Sequence, residues 1–174
     1  MQITTKVLDD VRAFALGAHD GQTDKLGHPY GAHVAHVAAR CARYGAEYEA
    51  VGWLHDTVED CDISLDEIEH RFGAIVRRGV DAMTRRDGER YFQDYLPRVI
   101  SNPIGIVVKY QDADHNRAKV HLLEDAETRS RLDQKYGSVL RILGQAQPQL
   151  KRHSLEGPIT WNGSAWTETR TSRS

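Results

Sequence analysis

Apolar residues recur along this chain at three- and four-residue steps, a period that calls for packed helices and leaves little room for a sheet. Val7, Leu8, Val11, Phe14 and Ala18 mark a first helix. A loop follows from Gly21 to Gly31, with three glycines and Pro29. Val34, Val37, Ala38 and Cys41 restart the stripe, and Gly45 is placed to stop it. Ala50, Val51, Trp53, Leu54 and Val58 are dense enough for one buried central helix. Ser64-Leu-Asp-Glu67 is a capping box: the hydroxyl accepts a backbone N–H and Glu67 reaches back. It opens a short helix ending near Phe72-Gly73. Ile75, Val76, Val80 and Met83 predict another helix, and Tyr91, Tyr95 and Val99 a further one with Pro97 in its first turn or at a kink. Pro103 suits the first helical position before Ile104, Ile106, Val107 and Val108. Leu132, Tyr136, Val139, Leu140 and Leu143 make the last helix. The expected fold is therefore all-α, a bundle of about eight helices.

The tail breaks this pattern. Pro148, Gly157 and Pro158 punctuate it, and Ile159 to Glu168 alternates as a small β-hairpin around Asn162-Gly163, the dipeptide of a type I′ turn. A lone hairpin is marginal, so it should pack on the helical body or on another subunit. The expected organisation is one compact domain over residues 1–147 and an extension over 148–174, whose last six residues or so are polar and frayed. Asn162-Gly-Ser164 also matches a glycosylation sequon, which is coincidental in a cytoplasmic chain.

With 23 basic and 25 acidic residues the net charge is −2, which gives no surplus for a nucleic-acid backbone. No apolar run reaches the roughly 18 residues of a membrane span. The first residues lack the apolar stretch of a signal peptide. Two cysteines, Cys41 and Cys61, make no disulfide framework and read as small buried residues or bystanders. A cytoplasmic location is the expectation. Nine histidines are the unusual count, and their positions matter more than their number.

Three clusters carry chemistry. In His55-Asp56-Thr57-Val58-Glu59-Asp60 an imidazole and three carboxylates directly follow buried Trp53 and Leu54. On one helix Glu59 would lie a turn after His55, and Asp60 a turn after Asp56. A buried helix gains nothing from three carboxylates unless a cation is near; the alternative is a solvated helix end. Lys109 to Asn116 follows another apolar run and puts Asp112 on one face with Asn116 and near His115, though a polar helix C-terminus would look similar. His28, His33 and His36 crowd the second helix and the loop before it. Together His33, His55, Asp56 and Asp112 make one metal shell from three helices. Two imidazoles plus carboxylates suit Mn²⁺ or Fe²⁺ better than a closed zinc site. Mn²⁺ is the expected ion, with Fe²⁺, Co²⁺, Zn²⁺ and Mg²⁺ as alternatives. His36 and His115 are read as supporting groups or substrate contacts, His19 as a flank of the loop, and His70, His121 and His153 as surface residues. No dinucleotide loop, Walker loop or serine elbow occurs.

At these residues the chain resembles the HD-domain metal-dependent phosphohydrolases, His55-Asp56 being similar to the doublet that names them. More narrowly it resembles the RelA/SpoT-type hydrolase branch, including the small alarmone hydrolases. The matching residues are His33, the His55–Asp60 stretch, and Lys109 through Asp112 to Asn116. Ala18-His-Asp-Gly-Gln22, Lys25, Pro29-Tyr30, Phe72-Gly73 and Thr84 add to it, over roughly residues 5 to 145. The resemblance implies a single HD-type helical bundle, a Mn²⁺ site and hydrolysis of a nucleotide phosphate ester. The substrate it implies is guanosine 3′,5′-bis(diphosphate), losing its 3′-pyrophosphate. No synthetase unit is read, so degradation is the expected direction. One departure is specific: an Arg-Lys pair helps hold the guanine in that branch, and here the aligned pair is Asp24-Lys25. Loss of the guanidinium removes cation–π stacking. It leaves open another nucleotide, such as a deoxynucleoside mono- or triphosphate or a dinucleotide phosphate.

The expected roles follow. Glu59 and Asp60 are catalytic, orienting a water or moving its proton. Lys25, Lys109, Arg85 and Asn116 bind substrate, with Arg86 a further basic candidate or a plain salt bridge, and Tyr30 is read as core packing. The expected partner is a small nucleotide, with no nucleic acid and no membrane; a homo-oligomer is left open. A non-catalytic, metal-containing sensor module is the other reading, against which intact Glu59 and Asp60 argue.

Overall fold

The computed structural model describes residues 2–155 and 157–168. The frayed end expected after Glu168 lies outside them. Among the described residues nine α-helices appear: α1 (Thr5–Ala18), α2 (Tyr30–Cys41), α3 (Ala46–Leu54), α4 (Thr57–Asp60), α5 (Leu65–Phe72), α6 (Ala74–Met83), α7 (Leu96–Ile100), α8 (Pro103–Lys119) and α9 (Ala126–Ala146). Two strands, β1 (Ile159–Trp161) and β2 (Trp166–Glu168), pair antiparallel. The all-α bundle with a small C-terminal hairpin is what the periodicity predicted. No helix of the described residues is long and apolar enough to cross a membrane.

Local chemistry explains most boundaries. The Thr4 hydroxyl accepts the Val7 N–H at the start of α1. Asn102 Oδ1 accepts from both Ile104 and Gly105, and Pro103 takes the first helical position of α8. Asp125 caps α9, which starts earlier than its apolar stripe. Ser64 caps α5 by accepting the Glu67 N–H, but the box is only half closed: the Glu67 carboxylate takes the Arg71 guanidinium one turn on instead. A wide turn over Tyr91–Tyr95 leads into α7, with Pro97 in the first turn.

The central helix is the main departure. It is not continuous through Val58. Helix α3 ends at Leu54, Asp56 sits at φ −105° and ψ −3°, and α4 restarts at Thr57. The Thr57 hydroxyl donates to the Leu54 carbonyl at 2.8 Å, holding the break. Adjacent residues on a straight helix point about 100° apart; the break lets His55 and Asp56 converge on one point.

Helices α2, α3 and α8 form the middle of the molecule, with Val34, Val37, Val51, Leu54, Val107 and Val108 buried between them. Gly52 is where α3 meets α2: a Cβ there would lie 2.8 Å from Ala38 Cα. The obstacle is backbone, which cannot swing away. Gly52→Ala should therefore cost about 1–3 kcal/mol of stability despite its better helix propensity. Equilibrium urea unfolding measures this, and a stabilised variant would refute the close packing.

The tail packs on the helical body. Buried Trp166 lies against His28 and His115, with ring centroids 4.8 and 5.8 Å away. Buried Arg40 reaches Gln111, Asp114 and, in β2, Glu168. The hairpin turn differs from expectation: Trp161 pairs with Trp166, leaving a four-residue loop rather than a two-residue type I′ turn. Asn162 Oδ1 accepts from Ser164 and Ala165 N–H groups, which closes the wider loop. His153 is not a plain surface residue either. Its ring stands edge-on to Tyr44, and its carbonyl accepts from Arg40.

Candidate active site

Four side chains from α2, the α3–α4 break and α8 meet at one point. His33 Nε2 lies 3.4 Å from Asp112 Oδ1 and 3.7 Å from Asp56 Oδ2. His55 Nε2 lies 3.0 Å from Asp56 Oδ2 and 3.9 Å from Asp112 Oδ1. Ligand atoms of His33, His55 and Asp112 all fall within 4.8 Å of one another. Both imidazoles are buried, His55 completely.

Three of these four groups, His55, Asp56 and Asp112, are held from behind. His55 Nδ1 donates to the Gly52 carbonyl at 2.8 Å, which turns Nε2 toward the centre. The Tyr30 hydroxyl donates to Asp56 Oδ2 at 2.6 Å. Lys109 Nζ donates to Asp112 Oδ2 at 2.9 Å, and Asn116 Nδ2 to Asp112 Oδ1 at 2.6 Å. Burial would raise the Asp112 carboxyl, but Lys109 beside it holds it well below the usual range. Burial alone would push the His55 imidazole down; the Asp56 carboxylate overrides it and carries His55 up to about 9. His33, with less carboxylate contact, is lowered by burial.

These observations test the fit of a divalent cation. His55 Nε2 is buried and, though close to Asp56, aligned for no hydrogen bond. Oxygens of two carboxylates and nitrogens of two imidazoles face one another across a few ångströms, a donor cluster that a cation would bridge. The donor set is two nitrogens and two carboxylates on rigid helices, chemistry that suits a divalent ion. The residues present fit such an ion.

A cavity of about 300 Å³ opens beside this centre. His33, Asp60, Asn116, Lys25 and Tyr30 line it, and Leu123, Leu132 and Tyr136 form an apolar wall. Glu59 and Asp60 lie exposed on α4. One Glu59 oxygen accepts the Arg85 N–H at 2.8 Å. Though both residues are open to solvent, partial desolvation at the edge of the site, with Asp56 adding to it, raises the carboxyls of both Glu59 and Asp60.

The predicted residues are not all placed alike. His33, His55, Asp56 and Asp112 converge, and Asn116 and Lys25 reach the cavity. Lys109 is engaged with Asp112 and lies over the Tyr95 ring. Arg85 is exposed, lines a separate hollow with Glu59, and spends its guanidinium on the Glu89 carbonyl. Arg86 pairs with Asp81. Tyr30 is more than core packing, since its hydroxyl fixes Asp56. His115 is buried against His33 and His36. Lys119 was missed. It lines the cavity and pairs with Asp24 at 3.3 Å, while Asp24 Oδ1 accepts the Leu26 and His28 N–H groups. Its signal was spacing: Asp112, Asn116 and Lys119 fall on one helical stripe.

A family model described as HD domain matches residues 12–128. The chain belongs to the HD-domain family. A guanosine-3′,5′-bis(diphosphate) 3′-pyrophosphohydrolase from Aquifex aeolicus is 39% identical over 74 residues, 41% of this chain and 11% of that protein. A probable enzyme of the same name from Synechocystis is 32% identical over 129 residues, 67% of this chain. This HD-domain chain thus covers only 11% and 17% of the lengths of these two relatives. A solved structure described as a metazoan ortholog of SpoT that hydrolyzes ppGpp superposes with a TM-score of 0.66. It covers 87% of this chain and 97% of its own at 21% identity, a likeness of fold.

Proposed function

We propose that this HD-domain chain is a metal-dependent phosphohydrolase of a nucleotide, with guanosine 3′,5′-bis(diphosphate) as the first substrate to test and its 3′-pyrophosphate as the group removed. The observation that carries the reading is the meeting of His33, His55, Asp56 and Asp112 beside a cavity of nucleotide-accepting size. The relatives' names point to the same substrate.

His33, His55, Asp56 and Asp112 would hold a divalent ion, Mn²⁺ being our assignment. When bound, the ion supplies Lewis acidity next to the phosphorus. The chain's own groups do the rest. Tyr30, Lys109 and Asn116 keep the two aspartates oriented. Glu59 and Asp60, with raised carboxyl pKa values, orient the attacking water and take its proton. Water oxygen bonds to phosphorus, the bond from phosphorus to the sugar oxygen breaks, and that oxygen leaves as a hydroxyl by taking up the proton that the carboxylate accepted from the water. Lys25 and Asn116 are placed to contact substrate at the cavity.

A second reading, another nucleotide, is favoured by one observation: beside Lys25 the opening loop puts a carboxylate, Asp24 paired with Lys119, on the cavity wall where the alarmone-hydrolase branch has a guanidinium. A panel of nucleotides with Mn²⁺ separates the two, read for pyrophosphate against orthophosphate release. Pyrophosphate from the bis(diphosphate) is the expected product. Orthophosphate from a monophosphate, with no pyrophosphate from the bis(diphosphate), would overturn the first reading.

A further inference from the structure

Lys135 on α9 is poorly provided for. Its ammonium lies 4.1 Å from the Tyr91 ring centroid and 5.6 Å from that of Tyr136. The Lys109 ammonium lies 5.8 Å from the same Tyr91 ring. Lys109 has Asp112 as its partner and Lys119 has Asp24. Among the described residues Lys135 is the one partly buried lysine with no carboxylate partner. Its neighbours on α9, Leu132 and Tyr136, are both on the cavity wall.

Its surroundings are electropositive. Burial, then the Lys109 ammonium, pushes Lys135 down to about 8, with Lys25 and Arg85 adding to the effect. Asp112 opposes them, but its oxygens already serve Lys109, Asn116 and the two histidines. Ring faces return roughly 0.5–2 kcal/mol to a cation, too little to replace lost water and offset like charges. A multiply charged anion would do both.

We propose that Lys135 is an anion contact that binds a phosphate oxygen of the substrate from the α9 side of the site. The tyrosine rings hold the ammonium in place, and the phosphate supplies the missing counter-charge. The identity of the anion rests on the phosphohydrolase reading; the need for an anion rests on the placement of Lys135, half-buried against tyrosine rings with no carboxylate partner among the described residues.

The test is calorimetric titration of inorganic pyrophosphate, with Mn²⁺ constant, into the wild-type chain, Lys135→Gln and Lys135→Arg. Loss of one charge-assisted contact should weaken binding about tenfold in the glutamine variant, while arginine stays within about threefold. Lys135→Met, which keeps the stem on the rings, replaces the glutamine variant if that fails to fold. Equal affinity in the neutral variant and the wild type would overturn the proposal, as would a wild-type chain that binds no pyrophosphate. Pyrophosphate binding that depends on Lys135 without cleavage of any nucleotide would overturn the proposed reaction and leave the anion contact standing.

Discussion

Asp112→Ala is expected to lose divalent-ion binding and to bring turnover to background. The reason is the number of groups that this carboxylate serves. It lies within 3.4 Å of His33 and 3.9 Å of His55, and it receives Lys109 and Asn116. Alanine removes one donor from the centre and leaves Lys109 with its charge uncompensated. Breaking such a buried pair costs about 3–5 kcal/mol, so the alanine variant should also melt early. Asp112→Asn separates the two effects. It keeps volume and one carbonyl oxygen but loses the negative charge, so it should fold more firmly than the alanine variant and still bind the ion poorly. Mn²⁺ titration followed calorimetrically, beside thermal melting, reads both. A folded asparagine variant that held one equivalent of Mn²⁺ as tightly as the wild type would show that Asp112 is not a ligand.

The convergence that makes Asp112 so exposed to substitution was half legible in the sequence. The helices were readable because their apolar faces repeat at the helical period, and the cluster types were readable because carboxylates next to Trp53 and Leu54 need a partner. What periodicity cannot show is a break inside an apolar run. The Thr57 hydroxyl competes for the Leu54 carbonyl, and a β-branched hydroxyl residue in mid-pattern was the available hint. Long-range partners were harder still. Lys119 and Asp24 are 95 residues apart, and their pairing depends on how α8 crosses the opening loop. Tyr30 looked like core because an aromatic at a loop–helix junction usually is; its hydroxyl finds Asp56 through the approach of α2 to the α3–α4 break. The hairpin was visible from alternation, whereas its loop length depended on the Asn162 side chain, which substitutes for a tighter turn.

Glu59→Gln should leave the ion bound and slow the chemical step. Glu59 lies on α4, just past the break that carries the His55-Asp56 pair, but is exposed and does not belong to the cluster of ligand atoms. Its carboxylate is positioned by the Arg85 backbone N–H, a bond that a glutamine oxygen can also accept, so the side chain should keep its place. What glutamine cannot do is take a proton. Removing a positioned general base typically costs 10²–10⁴ in rate, so kcat should fall by about that factor with little change in KM. The partial desolvation and the nearby Asp56 carboxylate that raise the Glu59 carboxyl also favour its taking a proton. Asp60, one residue on and similarly raised, can carry part of the duty, which sets the lower end of that range. The double variant with Asp60→Asn should then fall further than either single change. If Glu59→Gln kept full activity with Mn²⁺ bound, the proton would have to be taken elsewhere, and Asp60, which borders the cavity directly, would be the base.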